Sequence, residues 1–388
     1  MIREPIPFNK PYLTGREFIY LAQALEEGHI SGDGRFTREC SALLEERLGI
    51  DHVLMTNSGT AALELSVMLS GVRPGDEVII PSFTFVTTAT AIVRSGATPR
   101  FVDIRPDTLN LDERQLEAAI GPRTRAIIPV HYSSVACAMD RILEIAAAHR
   151  LRVIEDAAHA VNAFYRGRAL GSIGDLGCFS FHETKNYISG EGGAVCINDP
   201  ELVERARRMR DKGTDRHRFV MGLVDKYTWQ DEGSSYAPSD MICAFLRAQL
   251  EHLDDLLEQR LDIEAMYRSL FEPLEKDGFL RLPVIPKDCR TNAHGFFVLL
   301  PDRATRDVLI QELADRGIRS AFHYIPLHSS PMGRRLGCDR DLPITDAASA
   351  RLLRLPMFYG LGTVQIERIA AETDRILRRR GTPWTGLA

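Results

Sequence analysis

The chain has 388 residues, of which 44% are hydrophobic and 26% charged, and a formal net charge of −5. This is the usage of a folded, soluble chain with room for two domains, or for one large domain and a smaller appended one. The small acidic balance, with no Lys/Arg block beyond "LRRR" at 377–380, argues against a nucleic-acid partner. No apolar run is long enough to span a bilayer, and the opening "MIREPIPFNKPYLTG" lacks the apolar core of a signal peptide, so the expected location is cytoplasmic. The seven cysteines are odd in number and contain no CxxC pair. They read as reduced and mostly buried, with neither a disulfide framework nor a metal site.

In chain order, short β-rich apolar runs alternate with helical patterns. The runs are "EVIIPSF" (77–83), "ATPRFVDI" (97–104), "RAIIPVHY" (125–132), "RVIEDAA" (152–158), "GCFSFH" (177–182) and "GAVCIN" (193–198). Helix candidates such as "TAALELSVML" (60–69) and "DRILEIAAAHR" (140–150) lie between them. The alternation predicts an α/β fold with a buried, mostly parallel sheet covered by helices. From about residue 240 the texture changes to long charged helical stretches, then "HGFFVLL", "RSAFHYIPL" and a last helix from about 364. This places a large domain over 1–250 and a smaller α+β domain over 251–388.

Four segments carry candidate chemistry. "MTNSGTAALEL" (55–65) runs from a strand end through Ser58, Gly59 and Thr60 into a helix. Such a start is either an ordinary N-cap or a cradle for a phosphate group. No GxGxxG follows a strand, no GxxxxGK[ST] exists, and "GSIGDLG" (171–177) has the wrong spacing, so dinucleotide and Walker sites are excluded. "PSFTFVTT" (81–88) places Phe83 and Phe85 on one side if the strand continues, either stacking on a flat ring or packing in the core. "VIEDAAHA" (153–160) puts Glu155 and Asp156 at a strand end, where α/β sheets bind ligands, followed by His159. A buried carboxylate there needs a positive partner or a donor, such as a protonated ring nitrogen. In "GCFSFHETKNYISGEGGAVCIN" (177–198), Lys185 emerges from a strand into a glycine-rich turn at the same sheet edge. A phosphate cradle, a ring-facing aromatic, a carboxylate and a Schiff-base lysine are together what pyridoxal phosphate requires.

"NSGTAAL", "PSFTFVTTA", "VIEDAAHA" and "FSFHETKNYISGEGGA" resemble the DegT/StrS sugar aminotransferases, fold-type I pyridoxal-phosphate enzymes, over nearly the whole chain. "GDGRFTREC", "VHYSSVACAMD", "VDKYTWQDEGSSY", "FHYIPLH" and "LLRLPMFY" resemble the branch acting on dTDP-4-keto-6-deoxyglucose at carbon four. The resemblance implies Lys185 as the lysine bonded to the cofactor and Asp156 as the partner of its pyridine nitrogen. It also implies Phe85 on the ring, His159 beside it, and Ser58, Gly59, Thr60 and Ser180 on the phosphate. Many relatives read G-aromatic-Asn-aromatic-Arg where this chain has "GSSYA" (233–237), so Ser235 fills the slot of an Asn that reaches the neighbouring subunit's cofactor, and Ala237 that of the Arg. The family implies a homodimer with active sites at the subunit interface.

The expected reaction is a two-step exchange, in which L-glutamate converts the cofactor to pyridoxamine phosphate and the keto sugar then takes the amine. Asp33, Gly34, His323 and Tyr324 are the substrate-contacting candidates, with His328 beside them and Arg35, Arg38 or Lys226 offered for the nucleotide diphosphate. Three rivals stand against this reading. Relatives that remove a hydroxyl carry histidine in place of the lysine; amination at carbon three uses the same cofactor residues; and a non-catalytic cofactor-binding regulator belongs to a different class.

Overall fold

The computed structural model describes residues 4–382 together with Trp384 and Gly386. Seven strands form the central sheet: β1 (Val53–Thr56), β2 (Glu77–Pro81), β3 (Thr98–Val102), β4 (Thr124–Ile127), β5 (Arg152–Asp156), β6 (Leu176–Ser180) and β7 (Gly193–Ile197). Their order across the sheet is β1-β7-β6-β5-β4-β2-β3. All run in one direction except β7, which is antiparallel to both of its neighbours. The mostly parallel sheet expected from the sequence is therefore present.

Its strands read as continuous apolar runs because both faces are covered. Successive side chains point to opposite faces, so Val78 and Ile80 join one apolar cluster while Ile79 joins the other. On one side lie helices Arg35–Leu48, Met139–His149 and Asp240–Leu250; on the other, Gly59–Leu69 and Val203–Arg210. Two expected strands stop early. After Pro81, Ser82 turns away to bond His328, its Oγ lying 2.8 Å from Nδ1, and the chain enters helix Val86–Arg94. In the other, Pro129 supplies no N–H to continue a ladder after β4.

A further apolar cluster gathers Tyr267, Phe271, Phe296, Leu309, Leu353 and Ile369, and Ile6 from the N-terminal segment joins it. Its frame is the antiparallel pair β8 (Phe296–Leu299) and β9 (Leu352–Leu355), with helices Leu253–Lys276, Arg303–Asp315 and Thr363–Arg380. In the last helix Ile366, Ile369, Ala370, Thr373, Ile376 and Leu377 make a buried stripe at helical spacing. The arginines of "LRRR" face outward, Arg378 pairing with Asp277 and Asp374, and Arg379 with Glu312. No helix among the described residues is long and apolar enough to cross a membrane, and all seven cysteines are free.

Gly177, in the middle of β6, is a steric requirement. A Cβ there would lie 2.2 Å from the Gly171 carbonyl oxygen and 2.5 Å from its Cα, both backbone atoms. Gly177→Ala is expected to destabilise the protein by about 1–3 kcal/mol, the usual cost of overpacking, read as a lower midpoint in urea unfolding with unchanged slope.

Candidate active site

Because β1, β5 and β6 run the same way, they deliver Thr56, Asp156 and Ser180 to one edge of the sheet, and β7 starts there with Gly193. Gly193 is paired on one side with Thr56 and on the other with Ser180. Helix Gly59–Leu69 begins at this edge, capped by Ser58, whose Oγ accepts the Ala61 N–H at 3.0 Å. No hydrogen bond among the described residues uses the N–H groups of Gly59 and Thr60. The positive end of the helix opens into a cavity of about 560 Å³. The close approach depends on two glycines: a Cβ on Gly59 would lie 2.8 Å from Ser180 Cβ, and one on Gly193 2.4 Å from the Ser58 carbonyl oxygen.

Lys185 lines the same cavity from the loop between β6 and β7. Its side chain makes no hydrogen bond or ion pair among the described residues. Burial pushes its ammonium down to about 8, the Asp156 charge opposes that fall, and the Arg354 charge adds to it. Asp156 is pushed above the usual carboxylate range by burial, against the bonds it accepts and the Lys185 charge. Those bonds come from Thr88 Oγ1 at 2.8 Å and the Ala158 N–H at 3.3 Å, and Thr88 is within 2.9 Å of Thr84 Oγ1. Glu155, on the opposite face, belongs to the scaffold: it accepts from His131 Nε2 at 2.9 Å and from the N–H groups of Gly171, Ile173 and Gly174.

His159 stacks on His294 with ring centroids 4.0 Å apart and planes 14° from parallel. Burial holds both imidazoles well below their ordinary range, hence neutral. The His159 Nδ1 is buried without a partner. His294 Nδ1 lies 3.1 Å from Asn186 Oδ1, and the Asn186 amide is oriented by donating to the Asn292 carbonyl at 2.7 Å, so His294 carries its proton on Nδ1. Asn292 also donates to the carbonyls of His159 and Val161.

Phe85 is 56% exposed and lines the cavity, whereas Phe83 is buried against Tyr132 and Tyr324. The two phenylalanines part because the strand ends before them. His323 and Tyr324 line the cavity and stack on each other at 3.9 Å. Ser58, Gly59, Thr60, Phe85, Asp156, His159, Ser180 and Lys185 are thus brought together with His323 and Tyr324.

Asp33, Gly34 and Ser235 are not among the residues lining this cavity. Asp33 pairs with the buried Arg210. Gly34 makes room for Asp240, whose carboxylate would meet a Cβ at 2.3 Å and which caps helix Arg35–Leu48 through the Phe36 and Thr37 N–H groups. The exposed Ser235 accepts the Asn57 amide at its carbonyl. Arg35 pairs with Glu27 and Glu39, Arg38 donates to the Asp33 carbonyl, and His328 is committed to Ser82. Sequence reasoning missed Arg354, His294, Asn186 and Phe8. Arg354 left a trace, as a cation inside the apolar run "LLRLP".

The residues present fit pyridoxal phosphate: unused N–H groups at a helix start for its phosphate, a buried carboxylate for its ring nitrogen, an unpartnered lysine for its carbonyl carbon and an orphaned imidazole nitrogen beside them. In the cofactor-free protein, the rate at which Lys185 is acetylated is expected to rise with pH through an apparent pKa of about 8, well below the ordinary 10.5. Asp156→Asn removes the charge that favours the ammonium and should move this midpoint lower still. Mass-spectrometric labelling across pH checks both; a midpoint near 10.5 in the native protein rules out the desolvated amine.

The model of the DegT/DnrJ/EryC1/StrS aminotransferase family matches residues 11–373. The chain is 38% identical over 372 residues to GDP-perosamine synthase of Caulobacter vibrioides, covering 95% of this chain and 97% of that one. Among solved structures it is similar to the PLP-form of the sugar aminotransferase Spr1654 from Streptococcus pneumoniae, with TM-score 0.89, 28% identity and coverage of 97% and 99%. It is also similar to DesI, solved in the presence of its TDP-sugar product, with TM-score 0.88, 30% identity and coverage of 98% and 95%. The chain belongs to the DegT/DnrJ/EryC1/StrS family and is a pyridoxal-phosphate-dependent sugar aminotransferase.

Proposed function

We propose that the amino donor is L-glutamate and the acceptor dTDP-4-keto-6-deoxy-D-glucose, aminated at carbon four to give a dTDP-4-amino-4,6-dideoxy sugar. The observation that carries the transamination is the meeting of Lys185, Asp156 and the start of helix Gly59–Leu69 on one cavity. The branch-like strings and the TDP-sugar complex of DesI support the nucleotide. The similarity to GDP-perosamine synthase makes a GDP-linked keto sugar the competing acceptor. Amination at carbon three and a non-catalytic regulator find no comparable support.

When bound, pyridoxal phosphate supplies an electron sink for charge developing at the reacting carbon. The N–H groups of Gly59 and Thr60, with Ser58 and Ser180, would hold its phosphate, and Phe85 would pack against its ring. Asp156, fixed by Thr88, would keep a proton on its pyridine nitrogen. Lys185 Nζ would bond to the cofactor's carbonyl carbon at rest and, as a free amine, would serve as base and acid, carrying a proton away from the substrate carbon in the first half-reaction and returning one to the sugar carbon in the second. A pKa of about 8 keeps a useful fraction of free amine near neutral pH. The neutral His159 and His294 leave Lys185 as the group that moves protons.

The same reading treats 1–250 as the large domain and 251–388 as the small one, supported by the separate apolar cluster of the latter. It also makes the protein a homodimer, in which Ser235 faces the partner's cofactor in place of an asparagine. The exposed Phe18, Ile19 and Leu25 of helix Glu17–Glu26, with Trp229 at 82% exposure, offer apolar surface for such contact.

The test is a spectrophotometric titration of the cofactor-loaded protein. L-Glutamate is expected to bleach the visible band and dTDP-4-keto-6-deoxyglucose to restore it, with neither change in Lys185→Ala. Restoration by the GDP-linked keto sugar alone would overturn the nucleotide assignment, and a band unmoved by any amino acid would overturn the donor assignment.

A further inference from the structure

Lys185 has no side-chain partner among the described residues, so its place in the cavity is set by the backbone that carries it. That backbone is the loop 181–192 between β6 and β7. One side of the loop is laced to itself: the Ser189 N–H donates to the Phe181 carbonyl at 2.8 Å, the Glu183 N–H to the Gly190 carbonyl at 3.0 Å and the Lys185 N–H to the His182 carbonyl at 2.9 Å. The other side is held by the next residue in the chain. Asn186 donates through Nδ2 to the Asn292 carbonyl at 2.7 Å and accepts at Oδ1 from His294 Nδ1 at 3.1 Å. Both partners lie in the turn 291–294 ahead of β8, 106 and 108 residues further along the chain.

The same turn holds the segment that follows β5. Asn292 Nδ2 donates to the carbonyls of His159 at 2.9 Å and Val161 at 2.8 Å, and the His294 ring stacks on His159 at 4.0 Å. Because β5 ends in Asp156 and β6 leads to Lys185, residues 291–294 brace the two strand exits against each other. The turn is itself over-determined. Ala293 has a φ of +49°, a left-handed conformation that alanine rarely adopts. The buried Arg260 donates to the Ala293 carbonyl at 3.1 Å and to the His294 carbonyl at 2.8 Å, and Ser134 Oγ accepts the Asn292 N–H at 3.1 Å. A strained residue held from several sides marks a place where a site demands one geometry.

Loops are the mobile parts of a fold, and the lysine stem adds four flexible carbons. Moving a proton to or from the reacting carbon needs the amine within hydrogen-bond reach, and a misplacement of about 1 Å costs roughly 100-fold. Asn186, one residue from Lys185, is placed to prevent that displacement. His294 joins the two halves of the brace in one imidazole: its Nδ1 holds the Lys185 loop through Asn186, and its face supports the His159 ring.

We propose that Asn186 and His294 are positioning residues, a polar brace through which the turn 291–294 sets the spacing between Lys185 and the segment that carries Asp156 and His159. This rests on the reading of Lys185 as the group that moves the proton.

The test compares Asn186→Ala with two changes at His294. His294→Phe keeps a ring to stack and loses the bond to Asn186; His294→Asn keeps an N–H donor and loses the ring. In the cofactor-free proteins, hydrogen exchange of the 181–192 peptide is expected to speed up in Asn186→Ala and His294→Phe. The Lys185 acetylation midpoint should rise in both from about 8 toward 10.5 as water reaches the amine, with His294→Asn nearer wild type. In the cofactor-loaded proteins, the single-turnover bleaching rate at saturating glutamate should fall roughly 10- to 100-fold, with little change in the half-saturating glutamate concentration. The double variant Asn186→Ala/His294→Phe should lose no more than the worse single one, since the two side chains serve one bond. Unchanged exchange and midpoint in Asn186→Ala and His294→Phe overturn the proposal, and so do losses that add in the double variant. A fall in rate that tracks the urea midpoint while the Lys185 midpoint stays at about 8 assigns the turn to stability alone and also overturns it. Should Asn186→Ala fail to fold, the two His294 variants carry the decision. If glutamate does not bleach the wild-type protein, the donor assignment fails, while exchange and acetylation in the cofactor-free protein still decide the brace.

Discussion

The Lys185 ammonium and the Asp156 carboxylate share one poorly hydrated cavity, and each has its ionisation set by burial and by the other's charge. Loss of water disfavours both charged forms; the attraction between them restores part of what is lost. The balance leaves an amine that can exchange a proton near neutral pH and a carboxylate with oxygens still open to a ring nitrogen. It works only if the carboxylate stays where it is. That explains the effort made on the other face of the same strand, where Glu155 is wholly buried and saturated by His131 and three backbone N–H groups. Adjacent residues point to opposite faces, so anchoring Glu155 fixes the strand end that presents Asp156.

The cradle beside Lys185 follows from the same economy of space. An antiparallel β7 inserted between β1 and β6 brings Gly193 level with both Thr56 and Ser180. With no Cβ at Gly193 or Gly59, the helix start, the strand end and Ser180 come together with backbone N–H groups outermost. A methyl at either position would put carbon where those groups now converge. The ordinary N-cap and the anion cradle weighed for Ser58 are therefore not alternatives: the hydroxyl caps the helix through Ala61, and the two preceding N–H groups remain for a ligand.

How much of this the sequence revealed depends on where each residue sits along the chain. Lys185, Asp156 and Ser58 to Thr60 follow strand ends, and parallel strands in a covered sheet must discharge their ends at one edge, so local pattern was enough to bring them together. Phe85 was legible as a residue of the site, but the separation of Phe83 from it was not, because it depends on Ser82 bonding His328, a residue 246 positions away. Asp33 and Gly34 looked like a free loop. The partners that absorb them, Arg210 and Asp240, are about two hundred residues distant, and Gly34 is small because Asp240 needs the space to cap a helix. Arg354, His294 and Phe8 reach the cavity only through the pairing of β8 with β9 and the packing of the N-terminal segment, which no local spacing encodes.

One cavity has to serve a charged amino acid and an uncharged sugar ring in alternation, and the arrangement of its polar groups answers that demand. His159, His294 and His323 are all driven neutral by burial and by surrounding positive charge. His294 spends its Nδ1 proton on Asn186 and His323 has both ring nitrogens engaged, by Arg354 and the Tyr132 hydroxyl, which leaves the His159 Nδ1 as the ring nitrogen buried without a partner. Had the same three imidazoles been protonated, the cavity would hold a cluster of cations that favours the amino acid in both half-reactions and raises the cost of a free amine at Lys185. Phe8, Phe85, Phe322 and Tyr324 give the cavity an aromatic wall, suited to a ring with hydroxyls on its rim and apolar faces.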